Sequence, residues 1–178
     1  MQSGIPYGVA FVKNSYVGRT FIKPKQSNRE SSVQVKLNVL KEAVEGKRII
    51  MIDDSIVRGT TSDRIVTMLR NAGAKEVHIR PACPPLLYGC KYLNFSRSKS
   101  EMDLITRRII AKREGDNVSD KILSDYADPN STNYKEMLEE IRKELNFTSL
   151  KFHRLDDLKE SIGISPCKLC TYCWDGKE

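Results

Sequence analysis

Two adjacent carboxylates, Asp53 and Asp54, follow a strand-length apolar run in the sequence IIMIDDSIVRGTTSD (49–63). Carboxylate oxygens accept hydrogen bonds from sugar hydroxyls, and they are ligands that Mg²⁺ prefers. If the apolar run is a strand of a parallel sheet, the acidic pair stands at its carboxyl end, where such sheets bind ligands. The pair is therefore a candidate for holding a hydroxylated ligand, a magnesium ion or both.

The residues that follow the acidic pair favour an anion. Gly59 lets the backbone approach an anion closely, and Thr60, Thr61 and Ser62 then offer hydroxyl donors. If they open a helix, its first N–H groups and its dipole add to the attraction. Hydrogen-bond donors for a phosphate thus lie beside carboxylates that accept hydrogen bonds from hydroxyls, and a sugar phosphate fits this combination. A Walker loop, G-x-x-x-x-G-K-[ST], is absent, which disfavours an ATPase.

A purely structural role is the alternative for each of these residues alone. Asp53 or Asp54 would then cap a turn, and Thr61 or Ser62 would cap the helix, with no ligand bound. The complete string, placed directly after a buried strand, favours the ligand site.

A strand–helix–strand unit positions these residues. The run RIIMID (48–53) is continuously apolar and predicts a strand buried on both faces. Residues 61–72 predict an amphipathic helix with Ile65, Met68 and Leu69 inward. EVHIRPACP predicts the next strand, which a Pro-Pro pair ends. This order predicts a βαβ unit and hence a parallel sheet.

Weaker patterns flank this unit. YGVAFVKN predicts a short strand over about 7–13, and a basic loop follows to about Ser31. SVQVKLNVLKEAVEG predicts a helix that ends at Gly46. Its apolar stripe consists of Val33, Leu37, Leu40 and Val44.

Helical patterns dominate the second half of the chain. They cover about 101–113, 119–126 and 133–145. A short strand, SLKFHRL, and a helix over about 156–161 lead to a cysteine-rich tail. No internal repeat or low-complexity segment is present.

The composition limits which classes of protein this chain can belong to. The chain has 178 residues, 39% hydrophobic and 30% charged, which fits one soluble globular domain with an appendage. No apolar run reaches the length of a membrane span, and the beginning lacks a secretory pattern, so we expect a cytoplasmic protein. A net charge of +7 favours a polyanionic partner, either nucleic acid or a small polyphosphate. Nucleic acid is disfavoured because no aromatic-basic motif of the RNA-binding kind is present.

The five cysteines point to metal chemistry rather than to disulfides. Their number is odd and no secretion signal is present, which argues against a disulfide framework. Cys167, Cys170 and Cys173 form C-x-x-C-x-x-C, a spacing that suits zinc, an iron–sulfur cluster or three free thiols. Cys83, in an apolar strand, is expected to be a buried small hydrophobe.

The run IIMIDDSIVRGTTS resembles the phosphoribosylpyrophosphate (PRPP) motif of the type I phosphoribosyltransferases. The extension SIVRGTTS, with GIPYGVAFVKNSYVGRTFI, PPLLYGC and CTYCWDGK in the same order, resembles the glutamine PRPP amidotransferases in particular. The resemblance covers nearly the whole chain and is least distinctive over 96–165. It implies an α/β fold with a parallel sheet flanked by helices. We expect an incomplete PRPP-binding core over 1–95 and a mainly helical, cysteine-containing extension over 96–178.

The resemblance also implies a reaction. In that family, ammonia released from glutamine replaces the pyrophosphate of PRPP and gives 5-phosphoribosylamine, the first committed step of purine synthesis. Departure of pyrophosphate builds positive charge on the ribose, so positioning and electrostatic stabilisation matter more than a nucleophile. Magnesium would offset the pyrophosphate charge.

Residue roles carry over from the resemblance by position. Asp53 and Asp54 would hold the ribose hydroxyls and magnesium. Ser55, which begins the loop that continues into the 5-phosphate site, would be a further substrate-binding residue. The phosphate site itself would consist of Arg58, Gly59, Thr60, Thr61 and Ser62.

A mobile lid over the active site is also implied. The segment KNSYVGRT would form it, with Lys13 and Arg19 as positive charges beside Tyr16 and Thr20. Gly18 would serve as its hinge.

Some members of the family carry a structural [4Fe–4S] cluster, and the resemblance assigns its ligands here to Cys90, Cys170 and Cys173. The family's fourth ligand lies upstream of the first residue of this chain. Cys167 is the candidate substitute.

Parts of the family pattern are missing from this sequence. No N-terminal nucleophile cysteine is present, and neither is the first strand of the transferase fold with its pyrophosphate loop. We therefore expect a C-terminal portion of a larger enzyme, which by itself cannot use glutamine and needs a glutaminase domain from elsewhere. The intact enzyme is expected to be a homo-oligomer that purine nucleotides inhibit.

Two alternatives belong to other functional classes. The first is a non-catalytic module with the same fold that senses PRPP or a nucleotide and regulates a nucleic-acid partner. Salt-sensitive binding of DNA or RNA would favour it. The second is a zinc-binding interaction domain, which explains the tail but not residues 49–63.

Overall fold

A computed structural model describes residues 4–13, 37–92 and 101–177 of the chain. Its strands are β1 (Phe11–Lys13), β2 (Leu37–Val39), β3 (Arg48–Asp53), β4 (Glu76–Pro81) and β5 (Ser149–Leu150). Its α-helices are α1 (Lys41–Val44), α2 (Thr60–Asn71), α3 (Ile105–Glu114), α4 (Asp120–Ala127), α5 (Thr132–Glu144), α6 (Leu155–Ile162) and α7 (Tyr172–Asp175). Short 3₁₀ turns cover Glu101–Asp103 and Pro166–Lys168.

A parallel sheet in the order β3-β4-β5 forms the centre of the fold. Its register pairs Ile50 with His78, Asp53 with Pro81, and His78 with Ser149. The βαβ unit predicted from the sequence is thereby confirmed, with α2 as the connection between β3 and β4. The acidic pair consequently stands at the carboxyl end of an edge strand of this sheet.

The helix predicted over SVQVKLNVLKEAVEG is wrong where the structure describes it. Leu37–Val39 is a strand that pairs antiparallel with β1, and only Lys41–Val44 is helical. Leu37 and Val39 are half-buried while Asn38 is exposed, so the side chains alternate with the period of a strand. Residues 32–36, which include Val33, lie outside the described part.

One hydrophobic core joins the two halves of the chain. Val66 and Leu69 of α2 pack with Val77 and Ile79 of β4, and helices from the second half complete the cluster. Ile65 and Met68, predicted to point inward, are only half-buried. The division at residue 95 falls within 93–100, outside the described residues, and stays a prediction.

The prediction that β3 is buried on both faces is also wrong. Ile50 and Ile52 are 45% and 76% exposed, whereas Ile49 and Met51 on the opposite face pack against the core. Among the described residues, β3 is an edge strand and its even-numbered face is left largely open. The run is continuously apolar although only one face of it is covered.

The helices predicted in the second half are confirmed, with changes at their ends. Ser119 and Ser131 cap α4 and α5 by accepting hydrogen bonds from backbone N–H groups. The predicted helix over 101–113 is interrupted at Leu104, whose backbone is extended. No helix in the described ranges is long and apolar enough to cross a membrane.

The strand predicted from SLKFHRL is shorter than expected. Only Ser149–Leu150 pairs regularly with β4. Beyond it, Lys151 N and His153 N still donate to the carbonyls of Ile79 and Pro81, at 3.2 and 3.3 Å. The segment therefore continues alongside β4 without regular strand geometry.

Two isoleucines on neighbouring strands test the one-sided burial of the sheet. We expect Ile79→Ala to lower the free energy of unfolding by about 2–5 kcal/mol, because Ile79 is fully buried and its truncation leaves a cavity. Ile52→Ala should change it by no more than about 0.5 kcal/mol, because that side chain is mostly in solvent. Urea denaturation of both variants measures the difference, and equal losses would contradict the described exposure of β3.

Candidate functional site

The acidic pair forms a tight turn at the end of β3. Asp54 N donates to Asp53 Oδ1 at 3.0 Å, and Ser55 N donates to Asp54 Oδ1 at 2.7 Å. Asp53 is half-buried and Asp54 is exposed. The turn-capping role considered above is thus present, but it does not exclude a ligand, because an ionised carboxylate has about four acceptor positions.

Burial raises the pKa of Asp53 above its ordinary value, and the neighbouring charge of Asp54 raises it further. A cation or hydroxyl donors at this position would stabilise the charged pair. No group of three His, Cys, Asp or Glu side chains within the described ranges has a metal-site arrangement. Two carboxylates still suit Mg²⁺, which commonly keeps several waters and takes further oxygens from substrate phosphates.

The loop after the acidic pair leads directly into α2. Gly59 has φ +82°, the left-handed region, and occupies the N-cap position without a side-chain cap. The first intrahelical bond runs from Asp63 N to Gly59 O at 2.9 Å, so the N–H groups of residues 60–62 precede it. Neither Thr61 nor Ser62 is the N-cap. The hydroxyl-bearing side chains of Thr60 and Thr61 are exposed, whereas Ser62 is buried.

Elements from the second half of the chain hold this loop in place. Ile105 N donates to Val57 O at 2.9 Å, and the Arg58 guanidinium pairs with Asp103 at 3.1 Å. Arg108 donates to the backbone oxygen of Arg58 at 3.1 Å and to that of Asp103 at 3.3 Å. The sequence carries no local signal for Asp103 or Arg108, since neither belongs to a motif and both lie more than forty residues downstream.

Gly59 is enclosed by apolar side chains. A Cβ at this position would lie 2.8 Å from Ile105 Cδ1 and 3.0 Å from Leu145 Cδ2. The positive φ and the close contacts both require glycine here, because side-chain-bearing residues rarely adopt this φ and would also clash. The loop conformation therefore depends on the packing of α3 and of the end of α5.

The structure brings two of the proposed cluster cysteines together. Leu87 N and Tyr88 N donate to Cys173 O at 2.9 and 3.1 Å, which anchors the C-terminal tail beside the segment that carries Cys90. Burial raises the pKa of the Cys173 thiol to about 12, and the adjacent Cys90 thiol contributes. Cys170 is close enough to act on Cys173 electrostatically.

The other two cysteines have different described contacts. Cys167 is exposed, 3.1 Å from Ser165 Oγ. Cys83 is half-buried rather than fully buried; burial raises the pKa of its thiol to about 11, and the charges of Asp54 and Asp53 also raise it. Cys83 therefore lies near the acidic pair, a proximity that the sequence did not indicate.

Two other features lie outside this arrangement. Lys13 is exposed at the end of β1, while Arg19 and the other lid residues lie outside the described ranges. A cavity of about 260 Å³ is lined by residues that include Pro84, Tyr134 and Trp174. It contains none of the predicted site residues.

Known proteins are similar to this chain in sequence and in fold over nearly the full length of the chain. The chain is 41% identical to the amidophosphoribosyltransferase of Methanothermobacter thermautotrophicus, over 98% of its own length and 31% of the relative's. It is 40% identical to that of Bacillus subtilis, over 98% and 32%. The solved B. subtilis glutamine PRPP amidotransferase, complexed with ADP and GMP, superposes with a TM-score of 0.67 and covers 98% of this chain. The chain is a homologue of the C-terminal portion of the amidophosphoribosyltransferases.

Homology with amidophosphoribosyltransferases confirms the resemblance inferred from the motifs and the α/β class of the fold. The chain spans about a third of the length of the curated relatives it matches. No protein-family model matches it. The roles of the individual site residues stay predictions.

Two glycine substitutions test how tightly the loop is held. Gly163 has φ +73° but a Cβ added there would meet nothing within 4 Å, whereas Gly59 combines φ +82° with close contacts. We expect Gly163→Ala to lower the free energy of unfolding by about 1–2 kcal/mol through backbone strain alone. Gly59→Ala should cost about 1–3 kcal/mol more, because Ile105 and Leu145 must move. Equal losses in thermal or urea unfolding would show that the loop is not packed against α3.

Proposed function

We propose that this chain is the PRPP-binding transferase portion of an amidophosphoribosyltransferase, in which ammonia displaces pyrophosphate from the ribose of PRPP. The observation that carries the proposal is the acidic turn at the end of β3 followed by the Gly59 loop and the open N-terminus of α2. Homology to amidophosphoribosyltransferases over 98% of the chain supports the same assignment.

Different site residues bind different parts of the substrate. The N–H groups of residues 60–62 and the hydroxyls of Thr60 and Thr61 donate to the 5-phosphate, and the α2 dipole adds to its binding. Asp53 and Asp54 accept from the ribose hydroxyls. Arg58, paired with Asp103, contributes positive charge at the edge of this loop. The loop contacts to α3 hold these donors in one arrangement before substrate arrives.

The reaction follows from this positioning. The C1–O bond to pyrophosphate breaks as the ammonia nitrogen forms the new bond to C1, and one proton is released with the product amine. Positive charge develops on the ribose during this step, and the carboxylates of Asp53 and Asp54 stabilise it electrostatically. Magnesium, when bound, offsets the charge of the pyrophosphate.

Other properties of the whole enzyme belong to the same proposal. Ammonia comes from glutamine in a glutaminase domain outside the matched third, and Lys13 and Arg19 belong to a lid over the pyrophosphate. Purine nucleotides are further ligands, which the ADP and GMP bound to the B. subtilis protein support. The enzyme is a cytoplasmic homo-oligomer.

Calorimetric titration tests the phosphate site directly. We expect ribose 5-phosphate, and PRPP with magnesium, to bind the chain, and the double variant Thr60→Val with Thr61→Val to weaken binding at least about tenfold, because it removes two hydroxyl donors without changing side-chain shape. Thr67→Val, on an exposed position of the same helix, is the matched control and should bind as the wild type does. Equal affinities of all three proteins, or no binding to a folded wild-type chain, would contradict the site.

We further propose that Cys90, Cys170 and Cys173 are thiolate ligands of an iron–sulfur cluster. In support, the Cys173 thiol is in contact with that of Cys90, and Cys170 is close enough to act on Cys173 electrostatically; thiolates are the ligands that such clusters use. These residues form no three-ligand metal arrangement within the described ranges, so binding requires the side chains of the tail to turn towards a common centre. Cys167, exposed six residues before Cys173, is the proposed fourth donor.

Anaerobic reconstitution with iron and sulfide tests whether these cysteines bind a cluster. We expect the wild-type chain to take up iron and to show the broad visible absorbance of a cluster, and Cys90→Ser to lose most of both. Cys83→Ser is the control, since Cys83 is half-buried near the acidic pair, and it should keep them. Iron uptake that is unaffected in Cys90→Ser, or stoichiometric zinc in its place, would exclude the cluster proposed here.

A further inference from the structure

A cavity of about 260 Å³ lies at the carboxyl end of the central sheet. Pro84 and Pro85, which line it, follow β4. His153, which also lines it, follows β5 and donates its backbone N–H to Pro81 O at 3.3 Å. The other walls come from the end of α4, the beginning of α5 and the C-terminal tail, and we call this space the tail cavity. The region beyond the carboxyl ends of the strands is where parallel sheets bind ligands.

The interior of the tail cavity is apolar and largely aromatic. Pro84, Pro85, Tyr126 and Tyr134 are buried, and Trp174 is half-buried. Tyr126 offers only its ring, because its hydroxyl is already hydrogen-bonded. A cavity of about 150 Å³ holds benzene, and pockets for drug-sized molecules begin at about 300 Å³. The volume therefore suits one aromatic ring with a short polar extension.

Two hydrogen-bond donors in the tail cavity suit a carboxylate. Burial raises the pKa of Tyr134 to about 12, and the charge of Arg154 acts in the opposite direction, so the guanidinium lies near this hydroxyl. The hydrogen bonds and ion pairs formed among the described residues involve neither the Arg154 guanidinium nor the Tyr134 hydroxyl. A guanidinium beside a hydroxyl binds a carboxylate through charge-assisted hydrogen bonds.

Carboxylates line the same cavity. Asp128 and Asp175 each accept a hydrogen bond from a nearby backbone N–H. Asp156 is exposed in the first turn of α6, and the described part of the chain donates no hydrogen bond to its side chain. These three carboxylates oppose a ligand of net negative charge, and Arg154 and Lys177 oppose one of net positive charge. A ligand with one charge of each sign meets both conditions.

We propose that the tail cavity binds a free α-amino acid with an aromatic side chain of one ring, of the size of phenylalanine. The ring packs against the proline and aromatic walls, the carboxylate accepts from Arg154 and from the Tyr134 hydroxyl, and the ammonium group faces Asp156. This site does not depend on the proposed function, because none of the residues assigned to PRPP or to the cluster lines the cavity.

An aromatic acid and an aromatic amine are less favourable ligands than the amino acid. The acid would add a fourth carboxylate to the three that line the cavity, with no ammonium group to offset them. The amine would leave the Arg154 guanidinium and the Tyr134 hydroxyl without an acceptor. Groups of like charge brought together oppose binding.

Fluorescence titrations that monitor Trp174 test the proposal. Trp174 is the single tryptophan of the chain and lines the cavity, so its emission reports occupation directly. We expect L-phenylalanine, added to the full chain, to shift this emission saturably to shorter wavelength, because the ring displaces water from the indole. The compounds 3-phenylpropionate, 2-phenylethylamine and L-alanine lack the ammonium group, the carboxylate and the ring, respectively. Each should bind at least about tenfold more weakly than phenylalanine.

Substitutions in the cavity test the assigned contacts. Arg154→Gln should weaken phenylalanine binding at least about tenfold, because it removes a charged donor. Arg154 is exposed and its side chain does not cap α6, so this variant should fold as the wild type does. Arg48→Gln, at an exposed position that begins β3 at the other end of the sheet, is the matched control and should bind normally. Tyr134→Phe removes only a hydroxyl and should weaken binding about threefold.

Each outcome decides for or against the amino-acid site. No saturable binding of phenylalanine to a folded wild-type chain, by fluorescence or by calorimetry, overturns the proposal, and so do equal affinities of Arg154→Gln and Arg48→Gln. Equal affinities for 3-phenylpropionate and phenylalanine would identify an aromatic acid as the ligand and overturn it too. Ribose 5-phosphate binding should be unchanged in Arg154→Gln, so failure of this site is distinguishable from failure of the proposed function.

Discussion

The candidate site depends on the contact between the Gly59 loop and helix α3. Ile105 supplies both parts of that contact, a backbone N–H to Val57 O and a side chain against Gly59. A loop that binds phosphate through backbone N–H groups must be held before the ligand arrives, because ordering it during binding would cost conformational entropy. Here the residues that hold the loop come from a helix that begins more than forty positions later. The second half of the chain is thus part of the site although it carries none of its motif.

The same principle applies to the C-terminal tail. The carbonyl of Cys173 accepts two backbone hydrogen bonds from the segment that leads to Cys90, and Tyr88 packs against Tyr172 with ring centroids 5.4 Å apart. Sequence spacing groups Cys167, Cys170 and Cys173, but the tail conformation instead selects Cys173 as the neighbour of Cys90. These two thiols are brought together by chain packing, not by proximity in sequence.

The sheet shows the opposite situation, in which a surface is formed but not covered. Residues 49–52 of β3 are all apolar, yet Ile50 and Ile52 face outward while Ile49 and Met51 meet the core. The polar strip beside them, formed by His78 and Arg80 of β4, is already hydrogen-bonded, so it does not require a partner. The apolar strip is exposed to solvent, and about 25 cal/mol would be gained for each Å² of its apolar surface that left water.

The sequence by itself determined the βαβ unit, the acidic turn and the loop that opens α2, because these depend on local patterns: an apolar run, a 3.6-residue period and a glycine followed by hydroxyl residues. It also indicated the family, through motifs in a fixed order. It did not determine that Leu37–Val39 is a strand, since that segment is specified by pairing with β1. Nor did it determine that Asp103 and Arg108 brace Arg58, that Cys83 lies near the acidic pair, or that one face of β3 is open. Only the tertiary structure decided these points, because each is set by which distant segments pack together.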